Sequence, residues 1–412
     1  MNDGLLNVRE ETIGSFDFGP SGTVIQRGGT HVVQVLEMGV GYGRAEYLMT
    51  AGTLMAGPVS MAMTRNARAT FTQTGGIVIV DGTLTVSSNN FDSMKHATGV
   101  YRLSGTGELV AGRIEGIYNT YWGAFAMGGF YQSSGTCRAG VLVTGSYELS
   151  GGQMIADTEY VGALVQSGGS HRVTSALSFD PWSTFTASNG SAIHHSGTVL
   201  VNSSATSANL SGLVNLNLIV EGEANVLAFE AAGKDLGAVA AGWTNNYVLG
   251  TLTLGNVETL ASSGTGSGAI KLVNSSSNNS GWSGAEALYV NNLVLNAGAT
   301  INLNGLHLYY LVNGVPHSFT GTLLPGDANL DGIVDQADYT AWYNGYGTAG
   351  GWSAGDFTGD RLVDQADYTA WYNAYGATGG TVPEPFSALL MIVGCLAVVG
   401  RRRRATWQPR SR

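Results

Sequence analysis

The chain has few charged residues, few prolines and almost no cysteine. Charged side chains make up 12% of its 412 residues, and there are 8 prolines and 2 cysteines. Cys137 lies in a glycine-rich stretch and Cys395 in an apolar run, so we exclude a structural disulfide between them. The net charge is −10, and no basic stripe interleaved with aromatic residues occurs in the body of the chain. Nucleic acid is therefore not an expected partner.

Glycine is abundant, with 61 residues, and serine, threonine and asparagine are frequent. This composition is typical of many short strands joined by tight turns. A length of 412 residues exceeds one average domain, so we expect at least two structural units. The sequence predicts a mainly β protein.

Residues 1–190 contain three short elements that return in one order. A glutamate is followed by a Gln-x-Gly-Gly element and then by a Tyr-x-Leu/Met element with a glycine behind it. The glutamines, spaced by 47, 59 and 34 residues, are Gln26, Gln73, Gln132 and Gln166. Short apolar–polar alternations closed by glycines fill each cycle. This pattern predicts a right-handed parallel β-helix, or solenoid, in which each coil stacks on the next. One or two β-sandwiches are the alternative.

Residues 191–320 lose the Gln-Gly element but keep the alternation, most clearly over residues 287–314. The pairs Asn304-Gly305 and Asn313-Gly314 mark turns. We expect residues 191–320 to form the closing coils or a cap, the polar loop 275–283 to be exposed, and residues 321–325 to be a linker.

Parallel β-helices also carry polysaccharide hydrolases and lyases, which gather carboxylates and histidines on one face. The candidates for catalysis or metal binding are Glu11, Glu115, Glu159, His31, His171, His194 and His195. Catalysis needs a unique constellation, whereas these residues recur at equivalent repeat positions, so we predict a structural role. Four tryptophans of the body could stack on sugars or pack in the core, and we favour core packing. They are Trp122, Trp182, Trp243 and Trp282.

The eleven residues VDQADYTAWYN occur at 334–344 and again at 363–373. In the first copy, oxygen donors stand at positions 1, 3, 5, 9 and 12 of a loop, with a main-chain carbonyl at position 7 and Gly332 at position 6. The donors are Asp327, Asn329, Asp331, Ile333, Asp335 and Asp338. Calcium takes about six to eight oxygens, and this is the ligand order of an EF-hand-type loop.

The second copy repeats the ligand order 29 residues later. Its donors are Asp356, Thr358, Asp360, Leu362 (carbonyl), Asp364 and Asp367. Thr358 is a weaker ligand than Asn329, and Arg361 replaces the turn glycine. The chain is therefore predicted to bind two calcium ions, the second less tightly.

Two calcium loops, each followed by one helix and lacking an entering helix, resemble a type I dockerin over residues 326–378. The resemblance implies binding to a cohesin-like module, often in assemblies of carbohydrate-active enzymes. Loop positions 10 and 11, which usually contact the partner, are Gln336-Ala337 in the first copy and Gln365-Ala366 in the second. The helices lack basic residues for typical cohesin contacts. Another surface protein is therefore an open alternative as partner. The helix aromatic residues are predicted to form the core or a partner-binding face, and for the tryptophans we favour the core.

The C-terminal region combines a proline motif, an apolar segment and an arginine cluster. Residues 379–385 are a linker that ends in Val382, Pro383, Glu384 and Pro385. The uncharged segment 386–400 amounts to about 22 Å of helix, short for a bilayer core of about 30 Å. The tail 401–412 begins with Arg401, Arg402, Arg403 and Arg404, which the positive-inside rule places in the cytoplasm. This C-terminal region could be a sorting signal, and the alternatives are an ordinary tail anchor and a buried core helix.

This order resembles a PEP-CTERM sorting sequence of Gram-negative bacteria. It implies export, membrane anchoring through the C-terminal helix, cleavage by an exosortase, and release to the outer surface or matrix. The segment MNDGLLNVREETIG lacks the basic and apolar regions of a signal peptide, so we expect that the N-terminus is incomplete or that its start codon is misassigned.

A dockerin and a PEP-CTERM tail on a glycine-rich β-helix together resemble large surface-protein families of planctomycete-type bacteria. We expect an exported, non-catalytic surface or matrix protein with a calcium-dependent interaction. The alternatives are a carbohydrate-active enzyme that binds a polysaccharide on the β-helix, and a calcium-dependent binding module that the β region merely presents.

Overall fold

The computed structural model describes most of the chain up to residue 378. The described residues are 1–14, 21–63, 67–87, 97–116, 129–143, 145–187, 191–201, 211–221, 226–255, 268–296, 299–321, 323–360 and 362–378. Trp122, Arg361, the motif 382–385, the segment 386–400 and the arginines 401–404 lie outside them. Within the described ranges, no helix has the length and apolar character needed to cross a membrane.

Strands dominate the first half of the chain. They are β1 Leu5–Ile13, β2 Ser21–Gln26, β3 Thr30–Met38, β4 Arg44–Met49, β5 Thr53–Ala56, β6 Val59–Met61, β7 Arg68–Gln73, β8 Ile77–Ser87, β9 Thr98–Leu103, β10 Glu108–Gly116, β11 Gly129–Gln132, β12 Thr136–Val143, β13 Tyr147–Leu149, β14 Gln153–Gln166 and β15 Ser170–Ala187.

Shorter strands continue to residue 318. They are β16 Ala192–His195, β17 Thr198–Val201, β18 Asn217–Val220, β19 Leu227–Glu230, β20 Gly233–Lys234, β21 Val248–Leu254, β22 Ala269–Val273, β23 Glu286–Leu295, β24 Thr300–Asn302, β25 His307–Val312 and β26 Val315–Ser318. Short 3-10 helices lie at Ser211–Asn215, Ala240–Trp243 and Trp352–Ala354, and two α-helices follow, α1 Gln336–Gly345 and α2 Gln365–Ala374.

Successive coils stack by parallel strand pairing in three columns. The first column runs through β2, β4, β7, β9, β11, β13 and the ends of β14 and β15. The second begins at β1 and β3 and continues through β16, β18, β21 and β23. The third includes β6, β17, β19, β22 and β24. A mainly β chain with a parallel, solenoid-like sheet is therefore confirmed.

Every second residue of a strand points into the solenoid, as the period of a pleated strand requires. The inward positions of the second column lie in register and are 0–1% exposed at Leu54, Val78, Leu109, Cys137, Met154, His171 and Ile193. Stacking one coil on the next thus buries a continuous apolar ladder that a single coil could not bury alone.

The glutamine and tyrosine elements are two halves of one contact between neighbouring coils. Nε2 of Gln73 donates to the carbonyls of Gly76 at 3.0 Å and Glu108 at 2.9 Å, and its Oε1 accepts from the Tyr101 hydroxyl at 2.7 Å. The hydroxyls of Tyr47 and Tyr147 donate to the glutamines of their preceding coils in the same way, at 2.7 and 2.8 Å. Each tyrosine lies one coil after its glutamine.

The sequence repeat therefore spans two coils. In the first column, register pairs Gln26 with Met49, Met49 with Gln73, and Gln73 with Leu103, so amide and apolar side chains alternate from coil to coil. Two residues earlier, tyrosine alternates with phenylalanine, and the rings stack at centroid distances of 4.6, 4.8 and 5.1 Å along Tyr47, Phe71, Tyr101 and Phe130. The alternation explains why glutamine and tyrosine recur in strict order.

The glycine after each glutamine closes the corner between two columns. Gly76 has φ +74°, and a Cβ there would lie 2.6 Å from the Gly52 carbonyl oxygen of the preceding coil. A side chain at this corner would clash with the coil below, so glycine is required both for the turn and for the stacking distance.

The last coils end in an antiparallel hairpin, β25–β26, whose turn residues Asn313 and Gly314 both have positive φ. The turn prediction is confirmed. The loop 275–283 is less exposed than predicted, because Asn278 and Asn279 are 2% and 7% exposed. Their backbone and side-chain N–H groups reach Glu286, and the amides of Ser275 and Ser276 reach Glu230, so buried carboxylates anchor the loop.

We predict that Gln73→Leu destabilises the solenoid by about 1–3 kcal/mol, because leucine removes the hydrogen bonds to the Gly76 and Glu108 carbonyls and leaves the buried Tyr101 hydroxyl without its acceptor. Leucine fits the space, since Leu103 occupies the adjacent rung of the same ladder. Leu103→Met is the control and should cost less than about 1.5 kcal/mol. Urea unfolding followed by circular dichroism gives both values, and equal midpoints for the two variants would contradict the prediction.

Candidate functional site

The first acidic loop is held by hydrogen bonds from backbone amides to its own carboxylates. Asp327 accepts from the amides of Asp331 at 3.1 Å and Gly332 at 2.9 Å. Asp338 accepts from Ala328 at 2.8 Å through Oδ1 and from Asp335 at 2.8 Å through Oδ2. These bonds curl the loop around its carboxylates.

The second loop repeats this arrangement. Asp356 accepts from the amides of Gly359 and Asp360, and Asp367 accepts from Thr358 at 2.8 Å and Asp364 at 2.8 Å. In both loops the ninth residue caps the following helix. Asp335 accepts from the Ala337 amide at the start of α1, and Asp364 accepts from Ala366 at the start of α2.

The central carboxylates are buried close to like charges. Asp327 and Asp338 are 3% and 0% exposed, and Asp356 and Asp367 are both 0% exposed. Burial, with the nearby charges of Asp338 and Asp331, raises the pKa of Asp327 to about 7. Burial also raises the pKa of Asp338. A cation inside the loop would relieve the cost of burying these charges.

The donor set suits a hard cation. Within the described residues, no three His, Cys, Asp or Glu side chains are already gathered as metal ligands. Several of the loop carboxylates accept from backbone amides. A carboxylate oxygen keeps a second lone pair after one such bond. Carboxylate, amide and carbonyl oxygens at these spacings are the ligands that calcium prefers, so the residues present fit calcium.

The two helices pack through a reciprocal pair of tryptophans. Nε1 of Trp342 donates to the Asp364 carbonyl at 2.7 Å, and Nε1 of Trp371 donates to the Asp335 carbonyl at 3.0 Å, so each tryptophan of one helix holds the cap of the other. Both are buried, at 9% and 7% exposure, and their core role is confirmed.

The outer surface of the module repeats as well. Tyr343 and Tyr372 are each 65% exposed. The predicted contact pairs Gln336-Ala337 and Gln365-Ala366 are all exposed. Either copy therefore offers the same side chains to solvent.

Two of the candidate Glu–His sets lie inside the solenoid. Glu159 Oε2 and His171 Nε2 are 2.6 Å apart and fully buried, and Glu11 Oε2 lies 2.9 Å from Nε2 of His31. In each set the glutamate is inward in the third column and the histidine inward in the second column of the next coil. The repeated Glu and His thus brace the core.

Glu115 does not belong to this set. It pairs in register with Val143, one residue away from the inward position that Glu159 shares with Leu142. Its carboxylate faces outward and contacts Arg113 at 2.8 Å and Thr85 at 3.4 Å. The predicted equivalence of Glu115 with the other glutamates is therefore wrong.

The adjacent histidines 194 and 195 face opposite sides of β16. His194 lies outside, 2.6 Å from Glu221, which also pairs with Arg172 at 2.7 Å. Burial acts to raise the pKa of Glu221, but the hydrogen bond from His194 and the charge of Arg172 outweigh it and leave that pKa below its usual value. His195 points inward and is fully buried.

A polar cluster that the sequence did not reveal lies on the last coils. Asp235 accepts from Nδ1 of His307 at 2.6 Å and from the Tyr309 hydroxyl at 2.8 Å. Burial acts to raise the pKa of Asp235, but these two hydrogen bonds outweigh it and lower that pKa. His307 is 55% exposed. Because Asp235 and His307 are 72 residues apart, their pairing could have been predicted only by aligning the coils with one another.

Of the four tryptophans singled out in the body, two have described side chains. Trp243 is half-buried and packs edge-on against Tyr289, at a ring distance of 5.0 Å. Trp282 is half-buried too and donates to the Ala285 carbonyl at 2.9 Å. The Trp182 side chain lies outside the description. These contacts are those of packing.

The stability of the solenoid is expected to depend on pH through His195. Burial lowers the pKa of His195 below 6.5, so the unfolded chain takes up a proton more readily than the folded one. The stability that neutral His195 supplies is complete above pH 6.5 and is lost as pH falls below it.

We predict that His195→Leu removes this part of the acid sensitivity. Leucine suits the ladder, because Val173 and Val220 are the register neighbours of His195. The check is the midpoint of urea unfolding between pH 7.5 and 5. His194→Leu, on the outer face, serves as the control and should keep the His195 component; identical pH slopes for wild type and His195→Leu would refute the prediction.

Comparisons of this chain with protein-family models, with curated proteins and with solved structures found no match. Its function is therefore inferred from its own residues.

Proposed function

We propose that the chain is an exported, non-catalytic surface or matrix protein that binds a partner through a calcium-dependent, dockerin-type module. In this proposal the solenoid, which we expect to wind right-handed as parallel crossovers do, is a spacer or adhesive body. The module, residues 326–378, holds two calcium ions and recognises a cohesin-like domain or another surface protein.

The observation that carries the proposal is the duplicated loop and helix. Each copy buries two carboxylates at the centre of its loop, through Asp327 and Asp338 and through Asp356 and Asp367. Each copy also presents the same solvent-exposed side chains. Buried acidic groups favour a metal ion, and a doubled exposed face favours a binding partner.

The position of the recurring Glu and His residues supports a non-catalytic body. Glu159 and His171 are both fully buried, and His31 is 1% exposed. A polysaccharide chain cannot reach side chains inside the stacked coils. Glu159, His171 and His31 thus lie in the core.

The C-terminal residues complete the proposal. The motif Val382–Pro385, the apolar segment 386–400 and Arg401–Arg404 resemble a sorting signal, which supports transient membrane anchoring, processing by an exosortase and delivery to the outer surface or matrix. This part of the proposal is tested by looking in the native host for a mature form that is cleaved near Pro385.

We predict that the full chain binds two calcium ions, the second more weakly. Thr358 supplies a poorer ligand than Asn329, and Arg361 replaces a turn glycine, so the second loop loses affinity. Isothermal titration should resolve two sites, and calcium should increase the helical circular dichroism signal of the chelator-treated protein.

The matched variants for this prediction are Asp338→Asn and Asp367→Asn, which change the same position in the two loops. Each should remove one site, and the Asp338→Asn protein should keep the weaker one. No heat of binding with wild type, and no spectral change between calcium and chelator, would exclude the calcium function.

The Asp235–His307–Tyr309 cluster favours a second candidate, a carbohydrate-active enzyme. Asp235 accepts from Nδ1 and so orients the half-exposed His307 ring, as a carboxylate does in a catalytic His–Asp pair, and the set occurs once among the described residues.

This candidate predicts that the purified chain cleaves a polysaccharide. His307→Ala should then lower the rate by about 100-fold or more, whereas Val315→Ala, an exposed residue of the neighbouring hairpin, should not. A panel of plant and bacterial polysaccharides with reducing-end detection provides the test. Unchanged substrates across the panel would leave the non-catalytic proposal in place.

A further inference from the structure

The two acidic loops differ in residue type and in backbone strain at their fourth position. Leu330 occupies it in the first loop with φ +59°, and Gly359 occupies it in the second with φ +77°. Glycine adopts this left-handed backbone freely, whereas leucine is strained in it. The first loop therefore carries a strained residue where its own duplicate shows that none is needed.

The Leu330 side chain is buried in the solenoid, outside its own module. It is 5% exposed and belongs to the apolar cluster of the β body, together with Leu308 and Tyr310 of β25. The hydroxyl of Tyr310 donates to the Leu330 carbonyl. Burial raises the pKa of that hydroxyl, as do the charges of Asp327 and Asp331, so it stays protonated and able to donate. Packing and this hydrogen bond offset the backbone strain.

Trp352 makes a second connection between the module and the body. Its ring packs against both the body cluster and the module cluster, and its Nε1 donates to the Asp327 carbonyl at 2.6 Å. The neighbouring Gly351 lies so close to β23 and its following turn that a Cβ would be 2.5 Å from Cα of Asn296. Leu323 and Leu324 also pack, one on each cluster.

A cavity of about 150 Å³ remains between the hairpin and the loop. It is lined by Tyr310, His317, Phe319, Leu324, Asp327 and Asp331, among others. The lining joins residues of the last coil to two predicted calcium ligands. The last coil and the first loop thus share one packed boundary, whereas no residue of the second loop, within its described part, belongs to the apolar cluster of the body.

We infer that the first loop is the C-terminal cap of the solenoid, and that calcium bound in it stabilises the last coils through Leu330 and Tyr310. The inference rests on the proposed calcium function. A ligand that binds only the ordered loop stabilises whatever is folded together with that loop. The second loop, which lacks the leucine, is expected to bind its ion without this effect on the body.

Hydrogen exchange of the full chain, read by mass spectrometry over residues 286–318, tests the inference. With calcium at about 100 times its Kd, exchange in β23 and β25 of the wild type should slow by up to about 100-fold relative to chelator. Asp338→Asn should abolish this slowing and Asp367→Asn should preserve it, because of the described loop residues only Leu330, in the first loop, belongs to the body cluster.

Leu330→Gly is the decisive variant, because it copies the second loop, relieves the strained backbone and removes no ligand. It should still bind two calcium ions by titration yet lose the slowing in residues 286–318. Tyr310→Phe, which removes the hydroxyl alone, should lose part of it and covers the case in which the glycine variant fails to fold.

Two outcomes distinguish a failure of the cap from a failure of the proposed calcium function. If wild type binds calcium and its exchange over residues 286–318 does not change, the cap is refuted while the calcium function stands. If no calcium binds, the proposed function fails first, and the coupling fails with it.

Discussion

The fold depends on a buried amide. A glutamine side chain in the core has two donors and an acceptor, each costly to leave without a partner. For Gln26, Gln73 and Gln132 the corner glycine, the next coil and a tyrosine together satisfy that amide, as the contacts of Gln73 with Gly76, Glu108 and Tyr101 illustrate. Because a slip of one residue would turn the amide to the other face, the contact also fixes the register in which the coils stack.

The sequence predicted the solenoid-like sheet because residues that contact each other across coils recur together. It predicted less well which way a residue faces. Glu11 and Glu159 point inward and Glu115 points outward, although their local sequences look alike. Successive side chains of a strand point to opposite faces, so an insertion of one residue between two cycles turns an inward position into an outward one. The polar loop 275–283 was expected to be exposed for a similar reason, since its partners Glu230 and Glu286 are distant in sequence.

The two loop-and-helix units could be predicted from spacing, because their residues are local and the helix after each loop begins directly behind its capping aspartate. The boundary with the body could not. Leu330 looks like ordinary variation at a loop position, and only the sign of its φ angle together with its burial in another cluster reveals the constraint. Long-range packing of this kind leaves no periodic signal along the chain.

The identity of the two copies and their differences have separate causes. Internal packing accounts for Trp342 and Trp371, which hold each other's helix caps, but it does not account for Tyr343 and Tyr372, which are equally and largely exposed. An exposed residue that only met water would be free to differ between copies. The two copies differ at Leu330 and Gly359, and of these two residues only Leu330 belongs to the apolar cluster of the body. A surface that both copies present to solvent thus accounts for the repeated tyrosines, and the contact of Leu330 with the body accounts for the difference between Leu330 and Gly359.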